Sequence, residues 1–349
     1  MRSVPLTRAS IISPIGAFLE RIGAPVERLL AGAGIPPWAL SAPETLIPTS
    51  STARLLAHAA WTEGIENLGL LSGQEARIDS LGIYGRLIRR SPTVAEALGA
   101  VVRNHRMFSS DGRMWLRHRD EDVELCQAFT GGFDRDDDGW RQASHYVLML
   151  MLGIVRLGAG PTWRPAEVRL QSGEAAAVRD AEPLSGARLR FAQPATAITV
   201  PRPLLDEPLR PTACELAIPR ESIEAWEVSA PAGDFVGSIV QVVEMLSWEG
   251  YPDIHMTADV LGMSVRTLQR HLTAAGVTHE SLLGRARFAT AAALLEESDG
   301  RILDIAFDLG YSDHAHFTRA FRRWAGCSPR EFRRNAGKAV AGLTVPRAS

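Results

Sequence analysis

At 349 residues, 46% apolar and 22% charged, with a formal net charge of −2, the chain has material for two hydrophobic cores. It lacks the uniform positive coat of a histone-like protein, although a local basic patch stays open. The longest apolar run, 147–155, is too short to span a bilayer, the N-terminal MRSVPLTRASIISPIGAFL has no signal-peptide core, and Cys126, Cys214 and Cys327 lie far apart; these features exclude a membrane span and a disulfide framework and point to the cytoplasm.

Taken in chain order, helical periodicity is expected over 53–60, 94–107 and 144–157. The second of these starts at a capping box, Thr93 with Glu96 three residues on. Strand alternation occupies 113–116 and 123–129, with RDED between them as a hairpin turn. Shorter strand-like runs follow at 167–170, 188–191 and 197–200. Residues 1–205 are therefore expected to form an α+β domain.

Two clusters in this part carry polar chemistry. FDRDDDGW, 133–140, begins like a calcium loop with Asp134, Asp136, Asp138 and Gly139, but the twelfth position holds His145 where a bidentate glutamate is needed. A solvated loop without metal is expected. Trp140, His145 and Tyr146 precede an apolar helix, and His105 with Arg106 ends another. These five are the candidates for lining an effector pocket, against a purely structural role.

The stretch from Pro201 to Gly233 is rich in proline, PRPLLDEPLRP then VSAPAGD, and 206–233 is expected as a linker with one short helix. From Asp234 the pattern is helical throughout: Ile239, Val242, Val243 and Leu246 fall on one stripe. Residues 234–338 are expected as one all-α domain and 339–349 as a tail.

Within that domain one device occurs twice. GMSVRTLQRHLTAAG from Gly262 aligns with GYSDHAHFTRAFRRWAG from Gly310 if one residue is inserted. Leu268 then matches Phe317, Arg270 matches Arg319 and Leu272 matches Phe321. A glycine after the last helical residue closes a first helix in the left-handed conformation. Ser264, and Ser312 or Asp313, then cap a second one. Each second helix buries one face (Leu268 and Leu272; Phe317 and Phe321) and exposes another. The exposed sets are Arg266, Gln269 and Arg270, and His314, Thr318, Arg319, Arg322 and Arg323, with Ser264 and Thr267 at the first helix start. Arginine and glutamine match guanine and adenine edges in the major groove. Phe317, Phe321 and Trp324 are core positions by spacing, and His314 with His316 make a poor metal pair.

Between the copies, 280–297 is expected as one helix with Leu283, Ala286, Ala289 or Thr290, and Ala293 along one side. At ~1.5 Å per residue it is roughly 27 Å long, of the order of the ~34 Å between successive major-groove faces. SPREF starts a last helix, with Ser328 as cap, Pro329 first and Glu331 completing a capping box. Over 314–338 seven basic residues (Arg319, Arg322, Arg323, Arg330, Arg333, Arg334, Lys338) face one acid, Glu331. A patch so concentrated suits phosphate contacts, and Arg322 and Arg323 are assigned to them.

LGMSVRTLQRHL and IAFDLGYSDHAHFTRAFRRWAGCSPREFR resemble the DNA-binding domain of AraC/XylS-type transcription regulators. The resemblance implies base contacts from Arg266, Gln269, Arg270, His314, Thr318 and Arg319. Phe332 stands where that family commonly has tyrosine, and His271 where it frequently has arginine. LGIYGRLIRRSPTVAEALGAVVRNHRMFS and LRFAQPATAITVPRPLLDEPL are similar to the arabinose-binding-like sensor domain of one branch of the family. This implies a small-molecule effector, self-association as a homodimer and action with RNA polymerase on double-stranded DNA, with no cofactor and no catalytic residue. Two other classes stand beside it: an architectural DNA binder without effector, and a cysteine-based DNA-alkyl acceptor.

Overall fold

The computed structural model describes residues 3–129, 137–209, 218–247, 250, 252–297, 300–311 and 313–341, and the chain divides into two units, 3–233 and the residues from Asp234 on.

The first unit opens with β1 (Leu6–Arg8), α1 (Ser13–Arg21) and α2 (Val26–Gly32). Strand β2 (Leu46–Pro48) returns antiparallel to β1, Thr7 opposite Ile47. Helices α3 (Thr49–Glu63), α4 (Leu68–Glu75), α5 (Gly82–Arg89) and α6 (Val94–Phe108) follow. Thr93 caps α6 as its sequence predicts, its hydroxyl accepting from the Glu96 amide at 3.4 Å. Next come β3 (Arg113–His118), β4 (Asp122–Ala128), α7 (Asp138–Ala159), β5 (Glu167–Arg169), α8 (Ala176–Arg179), β6 (Arg188–Arg190) and β7 (Thr196–Pro201). The second sheet runs β3-β4-β7-β5-β6, antiparallel except for β5 and β6.

The core lies around α7, which packs on α3, α4, α6 and β7. The apolar run of 147–155 is its middle. The helix is longer than the periodicity of 144–157 suggests, because Asp137 caps it, accepting from the Trp140 amide at 3.0 Å. Asp134 and Asp136 of the acidic run lie outside the described residues.

The segment expected as a linker is not a bare connection. It carries α9 (Arg220–Val228), whose Trp226 is only 2% exposed. Arg8 of β1 donates to the Trp226 carbonyl, so α9 belongs to the body of the first unit. Proline content indicates irregular backbone and says nothing about what that backbone packs on.

Among the described residues the regular structure of the second unit is helical: α10 (Phe235–Leu246), α11 (Ile254–Val260), α12 (Val265–Ala274), α13 (His279–Glu297), α14 (Ile302–Asp308), α15 (His314–Ala325) and α16 (Pro329–Ala341). Ile239, Val242, Val243 and Leu246 of α10 are buried. Helix α13 packs on α10, α14, α15 and α16. Its buried residues are Leu282, Ala286, Ala291 and Leu295, whereas Ala289 and Ala293 are exposed. The expected single stripe is therefore wrong beyond Ala286. The buried side of α13 turns along its length because the helix packs on α10 as well as on α14, α15 and α16.

Candidate nucleic-acid interface and a buried cavity

Both halves of the second unit are built on one local plan. Gly262 (φ 66°) and Gly310 (φ 70°) take the left-handed conformation that glycine enters without strain. After α11, the Met263 amide donates to the Ala258 carbonyl at 3.0 Å and that of Gly262 to Asp259 at 3.0 Å. After α14, Tyr311 donates to Ala306 at 2.9 Å and Gly310 to Phe307 at 2.7 Å. These are the paired bonds of a Schellman ending, and they turn the chain at the same point in each copy.

The next helix is then capped by a side chain. Ser264 Oγ accepts from the Thr267 amide at 3.2 Å, and Asp313 Oδ1 from the His316 amide at 2.6 Å. Asp313 thus fills the role that Ser264 has, and Ser312 lies outside the described residues. The additional residue of the second copy sits in its turn, and counting from the caps keeps both helices in register. Leu268 and Phe317 stand four residues past the cap, Arg270 and Arg319 six, Leu272 and Phe321 eight. Arg266 then matches Ala315, and His314 matches Val265, so those two expected base readers are not equivalents.

The faces divide accordingly. On α12, Leu268 and Leu272 are buried, while Arg266, Gln269 and Arg270 are exposed. Thr267 is half-buried and its hydroxyl is 2.9 Å from that of Ser264. On α15, Phe317, Ala320 and Phe321 are buried, while His314, Arg319, Arg322 and Arg323 are exposed. Thr318 departs from the sequence reading: it is half-buried and its Oγ1 is shielded from solvent. Gln269, in the same register position, is open.

An aromatic core sets α15. Phe317 and Phe321 pack with Ile305, Ala306, Leu309, Ala291 and Leu295, and Phe288 and Phe332 close the cluster. Phe321 lies 5.1 Å from Phe288 and 5.4 Å from Phe332, centroid to centroid. Phe332 needs no hydroxyl in this setting. Trp324, expected in the core, is instead 39% exposed, lying across Gly284 of α13. A groove of about 610 Å3 opens there, with Glu280, Arg287, Tyr311, His316, Arg323 and Trp324 on its walls. The Arg287 guanidinium sits 5.5 Å over the Tyr311 ring. Spacing alone did not single out Arg287, which becomes visible only when α13 is set beside α14 and α15.

Two further caps hold the frame. Thr278 and Ser281 exchange amide-to-hydroxyl bonds of 3.1 and 3.2 Å at the start of α13. Ser328 and Glu331 do the same at α16, with 2.8 Å from the Ser328 amide to Glu331 Oε2 and 3.3 Å in return. His279 Nε2 lies 2.9 Å from the Thr257 hydroxyl and so ties α13 to α11. Burial holds the His279 imidazole below its ordinary pKa, with Asp253 pulling the other way.

The first unit contains a cavity of about 80 Å3 between α3, α6, β4 and α7. Of the five effector candidates, His105 and Tyr146 line it. Burial pushes His105 down to about 4. The Tyr146 hydroxyl donates to the Ile11 carbonyl at 2.9 Å, so its ring, not its hydroxyl, faces the space. The other three do not reach it. Arg106 points to solvent. Trp140 packs behind Phe129, rings 5.2 Å apart. His145, fully buried, lies 3.3 Å from the Ser172 hydroxyl through Nε2, and burial pushes its pKa down to about 4. Thr49, Thr52, Tyr84, Met114 and Gln127 line the cavity and escaped notice. Threonines at i and i+3 on the buried side of α3 were the one available signal.

The family described as the arabinose-binding domain of AraC transcription regulator matches residues 23–209, and a helix-turn-helix domain family matches 257–335. Among curated relatives, an ornithine utilization regulator of Pseudomonas aeruginosa is 24% identical over 278 residues, 76% of this chain and 78% of that one. An HTH-type transcriptional regulator of Mycobacterium bovis is 26% identical over 328 residues, 89% and 92% of the two chains. The HTH-type transcriptional activator RhaS of Escherichia fergusonii is 42% identical over 91 residues, 26% of this chain and 31% of that one. The first match covers more than half of the chain and the second covers both helix pairs, and the chain belongs to the AraC family of transcription regulators.

Proposed function

We propose that α12 and α15 enter successive major grooves of one DNA duplex. In this reading Arg266, Gln269 and Arg270 face bases from the first helix, and His314 and Arg319 from the second. Arg322, Arg323 and the groove residue Arg287 lie on phosphates, with Ser264 and Thr267 at the backbone where α12 starts. Thr318 serves packing. One observation carries this assignment: two helices closed and capped alike each present an exposed arginine six residues past the cap. The 19-residue α13 between them packs on α15, is tied to α11 through His279 and Thr257, and spans ~28 Å.

The first unit acts as the effector sensor, and a small molecule bound there shifts the affinity for DNA or the contact with RNA polymerase. A homodimer sets two such units on one longer site. In this reading the chain works by binding and not by catalysis: Cys126 is fully buried in β4 and burial pushes its thiol up, away from a reactive thiolate, and Cys327 is a half-buried free thiol. Cys214 lies outside the described residues.

The test is selection of genomic fragments by the full chain, followed by titration against random competitor DNA at moderate salt. A selected fragment is expected to win by orders of magnitude, with log K falling linearly against log salt. Equal affinity for every fragment would sink the assignment of base readers.

A further inference from the structure

The cavity of the first unit has walls whose chemistry restricts what can enter it. They are aliphatic and aromatic, with Ile11, Leu81, Phe108, Phe129, Leu150 and Met151 among them. Among the described residues the lining holds no arginine or lysine, and its one carboxylate is Asp111. An amino-acid carboxylate would enter without a cation to meet it, beside a group of the same charge. A sugar would bring more hydroxyls than these walls can satisfy, each costing desolvation.

Both ring nitrogens of His105 are without a hydrogen-bond partner at the cavity, and so are three further polar atoms, Thr49 Oγ1, Thr52 Oγ1 and Gln127 Oε1. Their residues are 7%, 4% and 2% exposed, so water outside the fold does not reach them. An unpartnered buried polar group is destabilising, and a guest that supplies the missing bond recovers that loss. The amide oxygen of Gln127 accepts only, so it calls for a donor. The threonine hydroxyls can donate in return.

We propose that this cavity binds an uncharged, mainly apolar molecule about the size of one ring or a short acyl chain. A single hydroxyl on it donates to Gln127 and accepts from Thr49 or Thr52. Size follows from volume: an apolar cavity of ~150 Å3 admits benzene, and Met114 and Met151 can change rotamer to widen the 80 Å3 present. The inference rests on the first unit being a sensor and adds the class of ligand.

The experiment uses the full chain with four probes: phenol, toluene, L-arabinose and L-ornithine. Phenol is expected to raise Tm by ~3 °C near tenfold excess over its Kd, and further with the logarithm of its concentration. Toluene, which fits but cannot donate, should bind ~10-fold more weakly. Arabinose and ornithine should leave Tm unchanged. Gln127→Leu should bring phenol down to the affinity of toluene, leave toluene as it was, and raise Tm without ligand. Ala143→Leu, which fills the space from α7, should abolish both responses; if it fails to fold, Gln127→Leu still decides. Phenol binding equally to Gln127→Leu and to the unaltered chain would overturn the head-group assignment. A shift with arabinose or ornithine and none with phenol would overturn the ligand class while leaving the sensor reading intact. No shift with any probe would overturn the cavity as a binding site, with DNA recognition untouched.

Discussion

Arg8 and Trp226 are separated by 218 residues in the chain and joined twice in space: Arg8 Nη2 donates to the Trp226 carbonyl at 2.7 Å, and the guanidinium lies 5.5 Å from the indole centroid. The same guanidinium donates to the carbonyls of Met107 at 3.1 Å and Glu44 at 2.6 Å and to the Ser229 hydroxyl at 3.1 Å. Burial pulls the arginine down to about 10, opposed by the charge of Glu44, so it stays protonated at neutral pH.

Arg8→Ala would therefore leave three carbonyls without this donor. We predict a loss of ~3 kcal/mol or more and release of α9 from the first unit. Arg8→Lys should rescue little, because one ammonium cannot span the fork of a guanidinium. Hydrogen exchange across 220–229 is the measurement, and unchanged protection in Arg8→Ala would refute the latch.

Arg319→Ala should relax preference at a single base pair by ~1–3 kcal/mol. Arg323→Ala should weaken all sequences alike and lower the salt slope by about 1. Thr318→Val, which removes a shielded hydroxyl, should change affinity by less than about twofold. Binding to a panel of single-base site variants separates the three; a uniform loss for Arg319→Ala would move that residue to the backbone.

Trp324 packs on α13 only because position 284 has no side chain. A Cβ on Gly284 would meet the indole Cζ2 at 2.9 Å and Nε1 at 3.2 Å. Gly284→Leu should push the ring outward, open the seam between α13 and α15 and cost ~1–3 kcal/mol, with weaker DNA binding. In Gly284→Ala the better helix propensity, up to ~1 kcal/mol, works against a smaller clash, so that variant should stay close to the unaltered chain. Equal Tm for Gly284→Leu and the unaltered chain would mean the seam tolerates separation.

Acid should unfold the first unit through its buried histidines. His105 and His145 are both pushed down to about 4 by burial, against about 6.5 in an unfolded chain. The folded state therefore refuses protons that the unfolded state takes between those values. Their contribution is complete above pH ~6.5, falls as pH drops from 6.5 towards 4, and is lost below it, on the order of 3 kcal/mol for each. His145→Gln should remove about half of that dependence. Denaturant midpoints at several pH values test it, and a flat profile from pH 7 to 4.5 would contradict the burial of these rings as neutral groups.

Much of the second unit could be read before folding because its signals are local. A Schellman glycine, a Ser or Asp cap and a reciprocal Ser328–Glu331 box each act within six residues, and each stands where the spacing put it. Trp324 shows the limit. Helical spacing places it beside Phe317 and Phe321, yet whether that edge of α15 is covered depends on α13 and on the missing side chain of Gly284. Strands β3 and β4 likewise announced themselves by alternation and β5 to β7 as short strand-like runs, while β1 and β2, three residues each, carried no such signal and are defined by their pairing with each other.

Local backbone chemistry, written in consecutive residues, determined the two helix pairs, their caps and the side of α12 and of α15 that carries arginine. Tertiary structure alone decided that a proline-rich stretch would dock a tryptophan over Arg8, that Thr318 would turn inward, and that Thr49, Thr52 and Gln127 would share one cavity. Caps and turns are satisfied by neighbours a few bonds away. Burial is settled by whichever distant element arrives, and nothing in the order of residues along a single segment encodes that arrival.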